Sequence, residues 1–241
     1  MSTHHSLIRV LSEFDSRVHE LTAALAGAAG RHSSGAVAQA PPRAMALRVA
    51  SVRRLWFVEP VPLETLLHAR NRVAIVAAAA LRPLLAARAL FACRDAIRRC
   101  VDRETRRALA LSIGPIAFAA LQERALTQPS TDALPSDLSV DALARQGWTL
   151  MLADGACANP TLRQLVELGL EAAAGGDVWR RALVSREDVP VQVESVARHS
   201  TRAGAHADTN ACSIAITTAT ATDEFLSIAG FLFPEYQWLF G

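Results

Sequence analysis

Apolar residues recur at helical spacing along most of the chain, and the clearest case runs from Cys93 to Leu111 (CRDAIRRCVDRETRRALAL). On a helix this segment separates into two faces. The apolar face comprises Cys93, Ile97, Cys100, Val101, Ala108 and Leu111, and the opposite face comprises Arg94, Asp95, Arg98, Arg99, Asp102, Arg103 and Arg106. The pattern predicts one amphipathic helix that packs on a core and turns its arginines outward.

The N-terminal part predicts a helix followed by a linker. Residues 6–26 have apolar side chains at helical spacing, and Gly27 is predicted to end the helix. Residues 30–42 (GRHSSGAVAQAPP) have linker composition, so the first helix could be a mobile arm. We therefore predict two parts: residues 1–45 as an N-terminal helix and linker, and residues 46–241 as a single helical domain.

Prolines and glycines set the predicted boundaries in the middle of the chain. Residues 45–58 fit either a short helix or an extended segment, and the prolines of 59–62 (EPVP) predict extended backbone before a helix at Pro62 or Leu63. That helix should run to about Leu81, and a new helix should begin with Pro83 in its first turn. Gly114 and Pro115 should end it, and Ile116 to Leu126 should form the next helix.

The C-terminal half contains helix-start signals. Ser139 should cap a helix over 140–152, and Asn159-Pro160 should start one at Thr161 to Ala173. Residues 177–184 are predicted to be helical, and Thr222 should cap Asp223 to Phe231. The aromatic end (FPEYQWLFG) should dock on the domain or on a partner. The expected fold is all-α: a compact irregular multi-helix domain with a docked aromatic C-terminal tail.

Composition narrows the function classes. All 25 basic residues are arginines, against 23 acids, which gives a formal net charge of +2. This near-neutral balance makes nucleic acid a minor interpretation. The most apolar window, 73–92, carries Arg82, Pro83 and Arg88 near its middle, which predicts a buried helix pair and no membrane span. The N-terminus lacks the basic start and apolar run of a secretory signal.

The chain shows no recognised nucleophile or phosphate motif. G-x-S-x-G is absent, and a P-loop is excluded because there is no lysine. Cys93 and Cys100 lie about 10 Å apart on one helix face, too far for a disulfide. Cys157 precedes a helix and could be an activated thiol, but a packed loop cysteine is favoured. Reduced thiols suit a cytoplasmic protein.

Metal ligation is also disfavoured. His199, His206, Asp208 and Cys212 follow one another at spacings of seven, two and four, which match no zinc motif. We therefore predict no metal and no cofactor.

Glu104 is the unusual residue of the central helix, because its projection lies inside the apolar face. A buried carboxylate needs a partner, and Arg107, one turn on, can provide it. Structural pairing with Arg107 is favoured, and a catalytic general acid is the alternative.

The arginine face allows three interpretations. Residues 93–107 contain six arginines and three acids, and Asp95 with Arg99 and Asp102 with Arg106 are spaced as helical ion pairs. A solvated face is the simplest interpretation, and a docking surface for an acidic partner comes next. The third is a helical DNA-binding regulator that uses helix 93–107.

Three segments resemble the SctK family of type III secretion accessory proteins, in its Hrp-type branch. The first is residues 81–121 (LRPLLAARALFACRDAIRRCVDRETRRALALSIGPIAFAAL), with paired arginines and a glycine step into another apolar helix. The others are residues 147–170 (GWTLMLADGACANPTLRQLVELGL) and the FPEYQWLFG end.

The resemblance implies a cytosolic, non-enzymatic adaptor, acting in virulence-associated protein transport. Such a protein sits at the cytosolic face of the inner membrane, in the sorting platform beneath the injectisome. It joins the ring component SctD to the pod protein SctQ and, through SctQ, to the SctL and SctN ATPase complex. No nucleic acid and no direct membrane insertion are expected. The residues hypothesised to form the protein interface are Arg94, Arg98, Arg99, Arg103, Arg106, Phe233, Tyr236, Trp238 and Phe240.

Overall fold

The computed structural model describes residues 3–33, 42–123, 133–173 and 220–240, and all regular secondary structure within these ranges is helical. This confirms the all-α prediction. The α-helices are α1 (Thr3–Ser33), α2 (Pro42–Trp56), α3 (Leu63–Leu67), α4 (Ala69–Arg72), α5 (Ala78–Ala92), α6 (Arg94–Arg99), α7 (Arg103–Ile113), α8 (Pro115–Glu123), α9 (Val140–Ala153), α10 (Pro160–Ala173), α11 (Ala221–Leu232) and α12 (Gln237–Phe240). Within the described ranges, no helix is long and apolar enough to span a bilayer.

The centre of the fold is the contact between α5 and α9. The side chains from Leu84 to Phe91 on α5 are all buried. On α9, Gly147 faces the α5 backbone so closely that a Cβ atom there would lie 1.8 Å from the carbonyl oxygen of Leu85. Only glycine allows this approach, because any side chain would overlap the carbonyl group.

The N-terminal helix packs against α2, α10 and residues 73–75. Val10, Val18, Leu21 and Leu25 of α1 are buried in the core. The helix continues past Gly27 to Ser33, so the predicted end at Gly27 is wrong. Residues 42–56 are helical, which decides between the two possibilities left open for that segment. The division of the chain into residues 1–45 and 46–241 stays a prediction.

The helix boundaries around Pro83 differ from the prediction. Residues 63–77 form the short helices α3 and α4 and a 3-10 turn at Val73–Ile75 in place of one long helix. Helix α5 then starts at Ala78 and runs through Pro83, so the predicted break at Leu81 and Arg82 is wrong. Pro83 cannot donate to the carbonyl of Ala79, but Ala79 is exposed and water can bond that oxygen.

The predicted central helix is broken in two. Cys100 and Asp102 have extended backbone, and the carboxylate of Asp102 caps α7 by accepting the N–H of Thr105 at 2.8 Å. The break resets the helical register, so Leu109 is buried while Val101 is 92% and Leu111 77% exposed. The prediction of one helix with Val101 and Leu111 on its buried face is therefore wrong.

Three of the predicted helix ends are confirmed. The Ser139 hydroxyl accepts the N–H of Ala142 at 3.3 Å, and the Asn159 side chain accepts the N–H of Thr161 at 2.9 Å. Gly114 ends α7 with a φ of 88°, a conformation that favours glycine. Helix α8 begins one residue before the predicted Ile116. The predicted helix at 177–184, loop residues 127–132 and the predicted end of α8 at Leu126 lie outside the described residues.

The predicted cap of α11 is wrong. Thr220, not Thr222, caps the helix: its hydroxyl accepts the N–H of Asp223 at 3.2 Å, and the Asp223 carboxylate accepts the Thr220 N–H at 3.1 Å. Thr222 is fully buried and bonds elsewhere.

The end of the chain lies against α1 and α4. Phe233, Leu239 and Phe240 are buried. Arg72 of α4 donates to the carbonyl of Leu239 at 2.9 Å, and the guanidinium of Arg9 lies 3.9 Å from the ring centroid of Trp238. These contacts bring the aromatic end next to the first helix.

Candidate protein-interaction surface

Four of the predicted interface arginines form one exposed surface on α6 and α7. We call Arg98, Arg99, Arg103 and Arg106 the arginine surface; all four residues are exposed. Gln122 of α8 holds two of them, because Arg98 Nε donates to its carbonyl oxygen at 2.9 Å and Arg106 Nη2 to its side-chain oxygen at 3.4 Å. The two helices are thereby tied to α8, and part of the surface is positioned before any partner binds.

Acidic residues neutralise only part of this charge. The Asp95 carboxylate lies 3.9 Å from Arg98, and Arg99 Nε donates to the Asp95 carbonyl oxygen at 3.3 Å. The carboxylate of Asp102 is used for capping α7, and the hydrogen bonds from Thr105 lower its pKa below the ordinary value. The predicted ion pair of Asp102 with Arg106 is not formed within the described residues.

Arg94 does not belong to this surface. Its side chain is 2% exposed, its Nη1 donates to the carbonyl of Phe91 at 3.1 Å, and its guanidinium lies 5.0 Å from the Phe91 ring centroid. The placement of Arg94 on the outward face is therefore wrong. Arg94 is the first residue of α6 and lies next to the end of α5. Arg98 and Arg99 lie about one turn farther along α6, beyond this contact, and are exposed.

The aromatic residues hypothesised for the interface are largely used within the monomer. Phe233 and Phe240 are buried, and Tyr236 and Trp238 are half-buried. Burial raises the pKa of Tyr236 above its ordinary value. These side chains pack the chain end on α1 and α4, so a partner could reach only the exposed parts of Tyr236 and Trp238.

A groove lies beside the α7–α8 turn and was not predicted. It has a volume of about 590 Å³ and is bounded by the start of α5, the α7–α8 turn and the end of α11. Pro83, Ile113, Ala117 and Phe233 are among its apolar lining. Leu111 and Ile116 also line it, yet they are 77% and 65% exposed. We call this cavity the α7–α8 groove.

Glu104 is not where the sequence placed it. It is exposed on α7, so its assignment to the buried apolar face is wrong. Within the described residues it forms no ion pair with Arg107. The register change at Asp102 is the cause, because it rotates α7 relative to a continuous helix. The general-acid hypothesis depended on a buried carboxylate and loses that support.

Cys157 is a packed loop cysteine, which is the alternative that the sequence favours. It is fully buried with a φ of 49°, and its N–H donates to the side-chain oxygen of Asn71 at 2.8 Å. Burial raises the pKa of its thiol to about 12, so the thiol stays protonated at neutral pH and is a poor nucleophile. Cys93, Cys100 and Cys157 are free thiols.

The structure does not describe the four candidate metal ligands. His199, His206, Asp208 and Cys212 lie outside the described residues. Among the residues that are described, no group of three or more histidine, cysteine or acidic side chains could hold a metal ion.

A buried polar cluster joins three distant parts of the chain. Oδ2 of Asp154 accepts from Arg88 Nη2 at 2.9 Å, from the Thr222 N–H at 2.9 Å and from the Thr222 hydroxyl at 2.5 Å, and Arg88 Nε donates to that hydroxyl at 3.0 Å. Burial alone raises the pKa of Asp154, but the hydrogen bonds from Thr222 and Arg88 outweigh it and lower the pKa. The cluster fastens the start of α11 to α5 and to the turn after α9.

Comparison with known proteins identifies a family. A family model described as "Bacterial type III secretion protein (HrpB4)" matches residues 1–199. The matched range contains the arginine surface, α5 and the α7–α8 turn, and it ends before the FPEYQWLFG segment. No curated protein and no solved structure matches the chain.

Proposed function

Because the chain belongs to the HrpB4 family of bacterial type III secretion proteins, we propose that it is a non-enzymatic adaptor of the injectisome. In this role it links the cytosolic domain of the SctD-type ring component to the SctQ-type pod protein. Through the pod protein it would connect to the SctL and SctN ATPase complex, at the cytosolic face of the inner membrane. Family membership supports the secretion role, and the SctK resemblance supports the adaptor role.

The observation that carries the adaptor hypothesis is the arginine surface. Its guanidinium groups are exposed, and Gln122 already restrains Arg98 and Arg106. Restrained arginines lose less conformational entropy when they bind carboxylates, so such a surface suits an acidic protein partner. Residues 93–107 have an excess of only three positive charges, and the whole chain is near neutral, which disfavours the DNA-binding alternative.

The residues considered for catalysis do not assemble into a site in the described part of the chain. Glu104 is exposed on α7, whereas Cys157 is buried as a protonated thiol. Asp154 is ionised and its Oδ2 accepts from Arg88 and Thr222, so that oxygen is occupied by structural hydrogen bonds. These placements support a binding role over an enzymatic one.

The test is recovery of both partners with the intact protein. Purified SctQ-type protein and the cytosolic domain of the SctD-type protein from the same bacterium are each captured on the wild-type chain. Failure to recover either partner would contradict the adaptor role.

Charge reversal then tests the arginine surface. The double variant Arg99→Glu, Arg103→Glu should bind one of the two partners at least about 10-fold more weakly, because like charges at an interface are repulsive. The matched control is Arg145→Glu, Arg163→Glu, which reverses two exposed arginines on α9 and α10. Equal losses in both double variants would show that the effect is one of net charge and not of this surface.

A further inference from the structure

We propose that the α7–α8 groove is the docking site for an amphipathic helix of a partner protein, one that carries acidic residues beside its apolar face. The inference rests on the proposed adaptor function and adds to it the place and the chemistry of one contact. The partner helix would fill the groove with apolar side chains and meet the arginines of α7 with its carboxylates.

The groove is concave and apolar where it would receive a side chain. Two of its polar lining side chains are already bonded: the Ser112 hydroxyl donates to the carbonyl of Leu138 at 2.7 Å, and Arg82 pairs with Asp141 at 3.1 Å. A third polar lining residue, Glu235, is exposed just after α11. Leu111 and Ile116 stand at its edge with 77% and 65% of their surface in solvent. An apolar occupant would cover both side chains without leaving either of these polar groups unpaired.

A net positive charge extends from the groove along α7, where Arg103, Arg106 and Arg107 outnumber the exposed Glu104. Arg103, Arg107 and Leu111 follow one another at four-residue intervals and are all exposed, so they form one outward row. Successive members of the row are separated by about one turn, roughly 6 Å. A helix whose apolar residue contacts Leu111 would therefore bring residues one and two turns away next to Arg107 and Arg103. Aspartate or glutamate at those positions would complement the row.

Helices α1 and α2 of a second copy of this chain are poorer occupants. Exposed Leu47 on α2 lies between Arg43 and Arg54, and α2 contains four arginines and no acid, so it would be repelled by Arg103 and Arg107. The exposed Ile8 and Leu11 on α1 lie near Asp15, whose carboxylate pairs with Arg53 at 3.5 Å. On α1 the acid that shares a helix face with Ile8 and Leu11 is therefore already paired, and α2 has no acid to offer the row.

The occupant can be identified by photo-crosslinking of the full-length protein in the producing bacterium. Leu111→p-benzoylphenylalanine and Ile116→p-benzoylphenylalanine are made one at a time, with Leu47→p-benzoylphenylalanine as the exposed control on α2. Positions 111 and 116 should crosslink to the same peptide of one partner. That peptide should have apolar residues three or four apart and at least two acids, and position 47 should not reach it.

Affinity for the crosslinked partner gives the second measurement. Leu111→Asp and Ile116→Asp should each bind at least about 10-fold more weakly, because they place a charge in the apolar contact. Leu47→Asp should bind as the wild type does. The double variant Arg103→Gln, Arg107→Gln should show a smaller loss of affinity between low and high salt than the wild type. Circular dichroism should show the same melting profile for all variants, since each replaced side chain is exposed.

Three results would overturn the proposal: crosslinks from 111 and 116 to a second copy of the chain, crosslinks to a peptide without acids, or no crosslink at either position. Unchanged affinity of both aspartate variants would overturn it as well. If the wild type recovers a secretion partner and these variants do so equally well, the groove is wrong and the adaptor role stands. If neither secretion partner is recovered but an acidic helix is crosslinked, the groove is a docking site and the adaptor role is wrong.

Discussion

The two helix pairs α5–α9 and α7–α8 use similar apolar residues for different purposes. In the α5–α9 pair the backbones touch at Gly147, and Leu84, Leu85 and Leu90 are completely buried. In the α7–α8 pair only one side is buried, and Leu111 and Ile116 project into solvent. The side chains between α5 and α9 cannot be enlarged without a clash. Those on the outer side of α7 and α8 can be replaced without disturbing the core.

Buried apolar residues should therefore determine stability, and exposed ones should determine partner binding. A residue in close-packed contact affects folding whenever its volume changes, because neighbouring atoms cannot move aside. An exposed apolar residue contributes little to folding, so its replacement would be felt in binding. The variants below test whether the two helix pairs differ in this way, from the largest expected effect to the smallest.

Gly147→Ala should have the largest effect. The new Cβ would lie 1.8 Å from the Leu85 carbonyl oxygen, so α5 and α9 would have to separate. We expect the free energy of unfolding to fall by about 3 kcal/mol or more, despite the better helix propensity of alanine. Thermal unfolding followed by circular dichroism measures this. Gln146→Ala, at the exposed neighbouring position, is the control and should melt like the wild type.

Leu109→Ala and Leu111→Ala form a matched pair on one helix. Leu109 is 0% and Leu111 77% exposed. Denaturant unfolding should show a loss of about 2–5 kcal/mol for Leu109→Ala and less than about 0.5 kcal/mol for Leu111→Ala. Equal losses would mean that the outer side of α7 is also part of the stabilising core, and the comparison would fail.

Asp154→Ala should come next, because it leaves Arg88 buried without its acidic partner. The side chain of Arg88 is 3% exposed and that of Asp154 24%, so solvent weakens the pair and we expect a loss of about 2–3 kcal/mol. Asp141→Ala removes the partner of Arg82 at the more exposed rim of the groove. It should cost about 1 kcal/mol or less. Chemical denaturation of both variants provides the measurement.

The same carboxylate predicts a pH dependence. The pKa of Asp154 is lowered in the folded protein, so its stabilising contribution is present above its unfolded pKa of about 4 and is lost as the pH falls through the folded value. The difference in unfolding free energy between wild type and Asp154→Asn should therefore be constant near neutral pH and shrink below about pH 4. A difference that grows on acidification would contradict the ionised state of Asp154.

Gly114→Ala should destabilise the protein less than Gly147→Ala does. Gly114 has a φ of 88°, and a Cβ added there would meet no atom within 4 Å, so only backbone strain opposes alanine. We expect a loss of about 1–3 kcal/mol, because this backbone conformation is one that only glycine adopts readily. Because this residue joins α7 to α8, the variant should also weaken partner binding if the groove is used. Gly155→Ala, at a similar φ of 80° away from the groove, is the control for binding.

Local sequence signals predict the ends of several helices. The other helix boundaries depend on tertiary contacts. Ser139, Asn159 and Gly114 act within a few residues of themselves, so their effects could be inferred from sequence. Asp102 carries a capping signal of the same kind, but the apolar spacing of 93–111 predicts a continuous helix across it. Pro83 is tolerated inside α5 because Ala79 is exposed, a property that depends on the folded chain.

The candidate site was only partly predictable for a related reason. Arg98, Arg99, Arg103 and Arg106 follow from the polar side of a helix, and they are exposed as expected. The groove needs the start of α5, the α7–α8 turn and the end of α11 to meet, and no local pattern contains that information. The sequence carries one local sign of this surface: Leu111 follows Arg103 and Arg107 at the spacing of a single helix face.

The arginine surface also has a practical consequence for chemistry in solution. With no lysine anywhere in the chain, the cationic groups of this surface are guanidinium groups only. Reagents that modify amines would leave the same surface untouched, so they can label a bound partner selectively.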